Sequence, residues 1–432
     1  VVVGGGVAGL CCARRLAAEG VPFTLLEAAP EVGGRVRTDV TEDGFLLDHG
    51  FQIFLDSYPE ARAVLDYDEL DLRPFYAGAL VRCPDGGFHR VADPFRHPVD
   101  GALSLLDSEV GTVADKVRVG LVRLGAVLGS LESKYTAPET SILERLRSVG
   151  FSEEMVDRFF RPFLGGIFFD NSLSTSSRLF EFVMRMLATG SNCLPAAGIG
   201  AVAQQLAAGL PAGSVRCGVA VERVGQGAVT LQGGEEVAAP GGVVVATDGP
   251  AAEALLGAGS GGGAMAAAPS KAGSAVGTTC LYFAAPGGIP PELSSNVLYL
   301  NGTGTGVVNN LCFPSEVAAG YAPEGQGLVS VSVIGVPAAA DEDLAEEVRA
   351  ELSEWFGSGL AGSLRLLRTY RIPYAQPPQA PPTDLRRPVR LARGLYVCGD
   401  HRESATLEGA MVSGRRAAEA LLEDRAGRPA AG

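Results

Sequence analysis

The chain has 432 residues, 47% of them hydrophobic, with 49 acidic against 35 basic side chains and a formal net charge of −14. That length supports two or three domains with cores of their own, and that composition excludes a largely disordered chain. The acidic field repels phosphate backbones and argues against nucleic acid as a partner.

Val1–Val3 is a β-branched run that opens directly on Gly4-Gly5-Gly6. A chain starting inside a strand reads as one from which a targeting segment has been removed. Ala8–Ala18 carries helix formers with apolar positions at Leu10, Ala13, Leu16 and Ala17, and Gly20 is a natural stop. Phe23–Glu27 then reads as a second strand, completing a βαβ unit that begins a parallel sheet. From about Phe75 to Thr189 helical patterns dominate, among them Ser141–Val149 and Glu153–Phe160. Cys217–Leu231 reads as strand, hairpin and strand, and Val243–Ala246 as a buried strand. Residues 257–273 are low-complexity and read as a flexible surface loop. Thr278–Phe283, Val297–Leu300 and Leu328–Ile334 predict a second sheet, and Asp341–Phe356 an amphipathic helix. The proline-dense Pro373–Pro388 must run extended. Leu395–Cys398 is a last buried strand before a helix from about Leu407 to Glu423.

The eight cysteines form no C-x-x-C pair and the four histidines no metal spacing, so buried free thiols and no metal site are expected. No apolar run reaches the ~18–20 residues of a membrane span. Val117–Leu131, interrupted by Arg118 and Arg123, allows a peripheral membrane contact at most.

The chemistry-bearing residues begin with Gly4-x-Gly6-x-x-Gly9, set between a strand and a helix. Gly4 permits the tight turn, Gly6 lets a pyrophosphate approach the backbone, and Gly9 lets helix and strand pack closely. Val7 and Ala8 open the helix, whose first N–H groups face that pyrophosphate. Glu27, followed by Ala28 at the tip of the second strand, suits the hydroxyls of an adenosine ribose. On these residues alone NAD and FAD both remain open. Gly33-Gly34-Arg35 adds a backbone fold and a planar guanidinium fork for phosphate or carboxylate.

The run Glu27–Thr38 resembles the second flavin motif of the flavin-containing amine oxidases and the carotenoid desaturases related to them. The resemblance implies FAD, an α/β Rossmann-like FAD-binding domain, and an inserted α+β substrate domain. It implies FAD-domain segments 1–74, 190–256 and 385–432, with 75–189 and 257–384 forming the substrate domain. His49-Gly50 after Asp48 resembles the loop that runs close to the flavin, and Val221 a strand laid beside the adenine, with Ala246 ending the neighbouring core strand. Gly399-Asp400, then Glu408-Gly409-Ala410-Met411, resembles the closing flavin motif. One departure is Glu31, where the family often carries arginine.

The family's amine oxidases usually place a lysine near the flavin N5. The three lysines here, 116, 134 and 271, do not fall at that position. The expectation is therefore an FAD-dependent oxidoreductase acting on an apolar, carotenoid- or prenyl-lipid-like substrate, with a quinone as a candidate acceptor. His401, Arg178 and Arg371 are the polar candidates to border the flavin. Two alternatives stand beside it: an amine oxidase, and a flavoprotein serving as an assembly or docking factor at a thylakoid membrane complex. The resemblance also implies a plastid location, stromal or peripheral to the thylakoid membrane.

Overall fold

The computed structural model of the chain describes residues 1–225, 227–257 and 276–427. Most of the low-complexity segment read as a flexible loop, from residue 258 onward, therefore lies outside the described residues.

The expected βαβ unit is present as the strand Val2–Val3, the helix Val7–Ala18 and the strand Leu25–Leu26. Both strands are shorter than their apolar runs because the glycine turn and the loop after Gly20 take the flanking residues. Gly20 stands at φ +65°, the left-handed conformation that ends a helix. These strands join a six-stranded sheet in the order 215–216, 25–26, 2–3, 243–245, 395–397, 390–392. The first five are mutually parallel, and the last is an antiparallel edge. The chain leaves Val2–Val3 toward Leu25–Leu26 on one side and reaches Val243–Val245 on the other, so strand order reverses beside Val2–Val3. Such a reversal opens a crevice at the carboxyl ends of the strands.

Register fixes what lines that crevice. Leu26, Val3, Val245 and Val397 lie in one row across the sheet. The residues that follow them, Glu27, Gly4, Ala246 and Cys398, therefore stand together along the carboxyl edge. The final helix, Leu407–Arg425, returns over the first, and a Cβ placed on Gly414 would stand 2.1 Å from the carbonyl oxygen of Ala8. Only glycine permits helices from opposite ends of the chain to approach so closely.

A second, seven-stranded sheet runs in the order 365–376, 276–285, 327–334, 310–312, 298–301, 78–82, 88–92. Its central strands are buried, and the helix Asp341–Phe356 covers it with Leu344, Val348, Leu352 and Trp355. The hairpin Gly78–Arg82 and Phe88–Ala92 corrects the helical reading of this part of the chain. Pro84-Asp85-Gly86-Gly87 between two alternating runs carried the turn signal.

Helices do follow, in a lobe that includes Pro98–Leu106, Val113–Val127, Ile142–Val149 and Ser177–Thr189. Ser141 begins Ile142–Val149 with a capping box shared with Glu144. Glu153–Phe160 is not one α-helix: a π-type turn over Val156–Phe160 separates Glu153–Met155 from Arg161–Phe168. Among the cysteines seven are buried and Cys217 is exposed. No helix of the described residues is long and apolar enough to cross a membrane.

Gly414→Ala should lower stability by about 1–3 kcal/mol through overpacking against Ala8. Thermal unfolding of the variant checks this, and an unchanged midpoint would show that the two helices can part without cost.

Candidate functional site

The helix Val7–Ala18 has no side chain capping its N-terminus and no acid in its first turn. Its free N–H groups and positive dipole end thus face the crevice without internal compensation. A Cβ on Gly6 would meet nothing within 4 Å, so the space over this residue is open. At Gly4 a Cβ would stand 2.8 Å from the Ala246 oxygen, and at Gly9 2.0 Å from the Gly4 oxygen. The three glycines therefore do different work: two close the turn against its neighbours, and the middle one leaves room. An open cradle over uncapped N–H groups fits a diphosphate.

Glu27 is fixed at one side of this cradle. Its Oε2 accepts from Gly5 N at 2.5 Å and its Oε1 from Ala29 N at 2.8 Å. A carboxylate has about four acceptor sites, so both oxygens keep capacity for ribose hydroxyls. Ala28 is exposed beside it. Gly33 N donates to Gly5 O at 2.8 Å, which folds the Gly33-Gly34 turn against the glycine loop. Gly33 and Gly34 both take positive φ, at +121° and +61°.

Arg35 then reaches to the other end of the sequence. Its guanidinium donates to both carboxylate oxygens of Asp400, at 2.8 and 2.7 Å, and to Ala375 O at 2.8 Å. It also lies 5.7 Å from the Tyr374 ring centroid. The carboxylate that the fork of Arg35 finds is thus Asp400, which is 5% exposed. Gly399 N is held by Ser413 Oγ at 2.9 Å, so the closing motif is braced from its own helix.

Thr406 caps that helix by accepting from Gly409 N at 3.0 Å. Met411 is fully buried, and Ala410 is half-buried. The Glu408 carboxylate turns away from the crevice, accepting from Glu60 N and Ala61 N at the start of the helix Pro59–Val64. Burial pushes its pKa up to about 7, against the pull of those two N–H donors.

On the remaining side stands the loop after Leu46–Asp48. His49 Nε2 lies 2.8 Å from Asp39 Oδ1, and its Nδ1 3.2 Å from Arg37 Nη2. Asp39 also accepts from Tyr370 OH at 2.7 Å, so His49 is clamped to the long strand of the second sheet. Gly50, at φ +99°, accepts from Tyr282 OH at 3.1 Å. Val221 is half-buried at the start of the strand Val221–Gly225.

Two cavities border these elements. One is lined by Gly249, Tyr374, Thr383, Arg387, His401 and Glu403, among others. His401 is 9% exposed, and neither of its ring nitrogens has a partner among the described residues. Burial lowers its pKa to about 4, so the ring is neutral near pH 7, with one donor and one acceptor to offer. The other two polar candidates are already engaged, Arg178 beside this cleft through Thr383. Arg178 donates to Ala137 O and Thr383 O, and Arg371 holds Asp341, Pro337 O and Ala339 O. The second cavity is smaller and is lined by Phe51, Leu194, Tyr282, Cys312, Pro314 and Tyr321 together with Asp48, Gln52 and Ser330. Asp48 is buried and accepts from Thr38 Oγ1, Ile199 N and Tyr321 OH at 2.6–2.9 Å. No grouping of side chains suited to a metal ion occurs among the described residues.

Arg387, Thr406 and the Asp48 network escape sequence reasoning. Arg387 and the Asp48 network gain their meaning from partners distant along the chain, whereas Thr406, preceding a helix, carried a local capping signal.

Residues 7–422 match the family described as flavin containing amine oxidoreductase. A 15-cis-phytoene desaturase of Solanum lycopersicum is 27% identical over 167 residues, 37% of this chain and 29% of that protein. Protoporphyrinogen oxidase 2 of Arabidopsis thaliana is 29% identical over 165 residues, 38% and 31% of the two chains. A carotenoid phi-ring synthase of Streptomyces griseus is 41% identical over 88 residues, 19% and 16%. The chain thus spans under a third of the length of these curated relatives. In fold it resembles reduced UDP-galactopyranose mutase, with TM-score 0.68 at 18% identity over 98% of this chain and 94% of the other. Putrescine oxidase bound to putrescine gives 0.67 at 16%, over 98% of each.

Two outcomes follow from the site. Arg35→Met and Asp400→Asn should each weaken FAD binding by roughly tenfold or more, about 1.5–3 kcal/mol for a charge-assisted bond. The double variant should be no worse than the poorer single one. Additive losses in a fluorescence titration would show that the two residues act separately. For Glu408, the folded-state pKa of about 7 lies above the ordinary 4.5. Its contribution to stability is fully present below about pH 4.5 and is lost as pH rises through about 7. The unfolding midpoint of Glu408→Gln should therefore lack the fall between these limits that the parent shows.

Proposed function

The chain belongs to the flavin containing amine oxidoreductase family, with FAD as its cofactor, and from that premise we propose that it oxidises an apolar, polyene-type substrate. Bound FAD supplies a two-electron acceptor for a C–H bond held against its ring. In this reading Gly4, Gly6, Gly9, Val7 and Ala8 take the diphosphate, Glu27 with Ala28 the adenosine ribose, and Val221 and Ala246 the adenine side. Gly33, Gly34, Arg35, Gly399 and Asp400 order the middle of the cofactor. His49, Gly50 and Glu408–Met411 border the ring, with Glu408 acting through the helix it caps.

The observation that carries the substrate class is the cavity beside Gly50. Most of its lining is Phe51, Leu194, Tyr282, Cys312, Pro314 and Tyr321, with Gln52 and Ser330 as its neutral polar groups, and its carboxylate, Asp48, accepts from Thr38 Oγ1, Ile199 N and Tyr321 OH. A cationic amine would have to compete with those three donors for Asp48, whereas an apolar ligand meets mostly apolar wall. Lys116 and Lys134 bind backbone carbonyls in the helical lobe, and Lys271 lies outside the described residues. The names of two curated relatives, a phytoene desaturase and a carotenoid phi-ring synthase, support the same class. The polar cleft with His401 and Arg387 suits the carbonyl of an acceptor such as a quinone. The chloroplastic names of the plant relatives support a plastid location.

Anaerobic mixing tests this reading. The oxidised-flavin absorption band should bleach with a carotenoid-type polyene and persist with putrescine. Bleaching by the diamine alone would replace the reading with an amine oxidase. Persistence with both, together with co-purification of a membrane complex, would replace it with the assembly role.

A further inference from the structure

Among the described residues thirteen large apolar side chains are exposed, and eleven of them fall between Phe95 and Leu128. In the helix Val113–Val127 and just after it, Val113, Val117, Leu121, Leu124 and Leu128 recur at intervals of three and four. That spacing places them on one face, away from the side that buries Val122 and Ala126. The preceding helix, Pro98–Leu106, exposes Val99, Leu103 and Leu106 at the same spacing, with Leu106 83% exposed. Lys116 Nζ donates to the carbonyls of Ser104 and Asp107 and ties the two helices side by side. Contiguous apolar exposure on this scale marks an interaction surface rather than chance.

We propose that these two helices form the face by which the protein lies on a lipid bilayer, without crossing it. Composition chooses lipid over a protein partner. Ten of the eleven side chains are valine or leucine, with Phe95 the single aromatic. Protein interfaces concentrate their energy in tryptophan, tyrosine and arginine anchors, whereas a bilayer requires only apolar area. Charge does not oppose this. Between Pro98 and Leu128 four carboxylates, Asp100, Asp107, Glu109 and Asp115, stand against Lys116, Arg118 and Arg123, so the face carries little of the chain's net charge of −14. Lys116 is held by the carbonyls that join the helices and Arg123 by Asp93, which leaves Arg118, beside the buried Asp115, as the cation at the edge of the stripe.

The lobe that carries this face also reaches the closing motif. Tyr135 lies 5.9 Å from Phe182, ring centre to ring centre, and Phe182 stacks on Tyr58 at 6.2 Å. Tyr58 begins the helix whose N–H groups hold Glu408. Docking is thus mechanically continuous with the flavin-side helix, although it stands independently of which substrate is oxidised.

Flotation of the FAD-loaded full chain with vesicles tests the proposal, using phosphatidylcholine alone and phosphatidylcholine with phosphatidylglycerol. The parent should float with both kinds of vesicle, and most of that binding should survive high salt, since apolar area carries it. Leu121→Glu with Leu124→Glu should reduce the floated fraction by roughly tenfold or more while FAD content is retained. Should that pair lose FAD, Leu106→Glu, at a more exposed position, gives the same readout with less risk to folding. Arg118→Gln should remove only salt-sensitive binding. A parent that stays with neither vesicle, or variants that float as it does, would overturn the proposal. So would a parent dimer in light scattering that the leucine variants convert to monomer, since a second copy would then be the occupant.

Discussion

The Arg35–Asp400 ion pair joins residues 365 positions apart, and the site depends on it. Arg35 sits on the glycine turn that packs against the Gly4–Gly9 loop. Asp400 sits on the loop that leads into the last helix. A fork held at 2.8 and 2.7 Å fixes distance and angle together, which a single point charge does not. The third bond, to Ala375 O, brings in the extended proline-rich strand. Three segments that no local rule would place together are thereby set around one crevice.

The sheet makes that pairing possible. Parallel strands end in register, so Glu27, Gly4, Ala246 and Cys398 emerge on one edge whatever the loops beyond them do. Gly414 lets the last helix settle on the first, and the crevice is thus bounded by both ends of the chain. Beside it, the Asp39–His49–Tyr370 network and the Tyr282–Gly50 bond tie the second sheet to the same loop. The polar cleft of His401 and the aromatic cavity beside Gly50 lie in different surroundings. Reduction and reoxidation of one cofactor by chemically unlike partners would find separate entrances there.

Local chemistry made the nucleotide-binding half legible in the sequence. Strand, glycine turn, helix and acid occur within thirty residues, and each follows from short-range sterics. The helix Asp341–Phe356 was readable for the same reason, since its amphipathic period needs no partner to be seen. Legibility fails where meaning comes from a distant partner. Glu408 sits in a recognisable motif, yet its carboxylate faces the backbone of Glu60 and Ala61, some 347 residues away. Arg371 and Arg178 were candidates in sequence to border the flavin, and in the fold Arg371 holds Asp341 and two carbonyls and Arg178 two carbonyls. The hairpin of residues 78–92 was legible in principle, but its turn signal lay inside a stretch dominated by helical periodicity.

The central claim is that both ends of the chain close a single FAD site. The absorption spectrum of the purified protein, read with its flavin-to-chain ratio after release by heat, tests it most directly. The account predicts a yellow protein carrying FAD in equal number to chains, with Arg35→Met largely colourless. A colourless parent that takes up NAD instead, or an Arg35→Met variant as yellow as the parent, would contradict it.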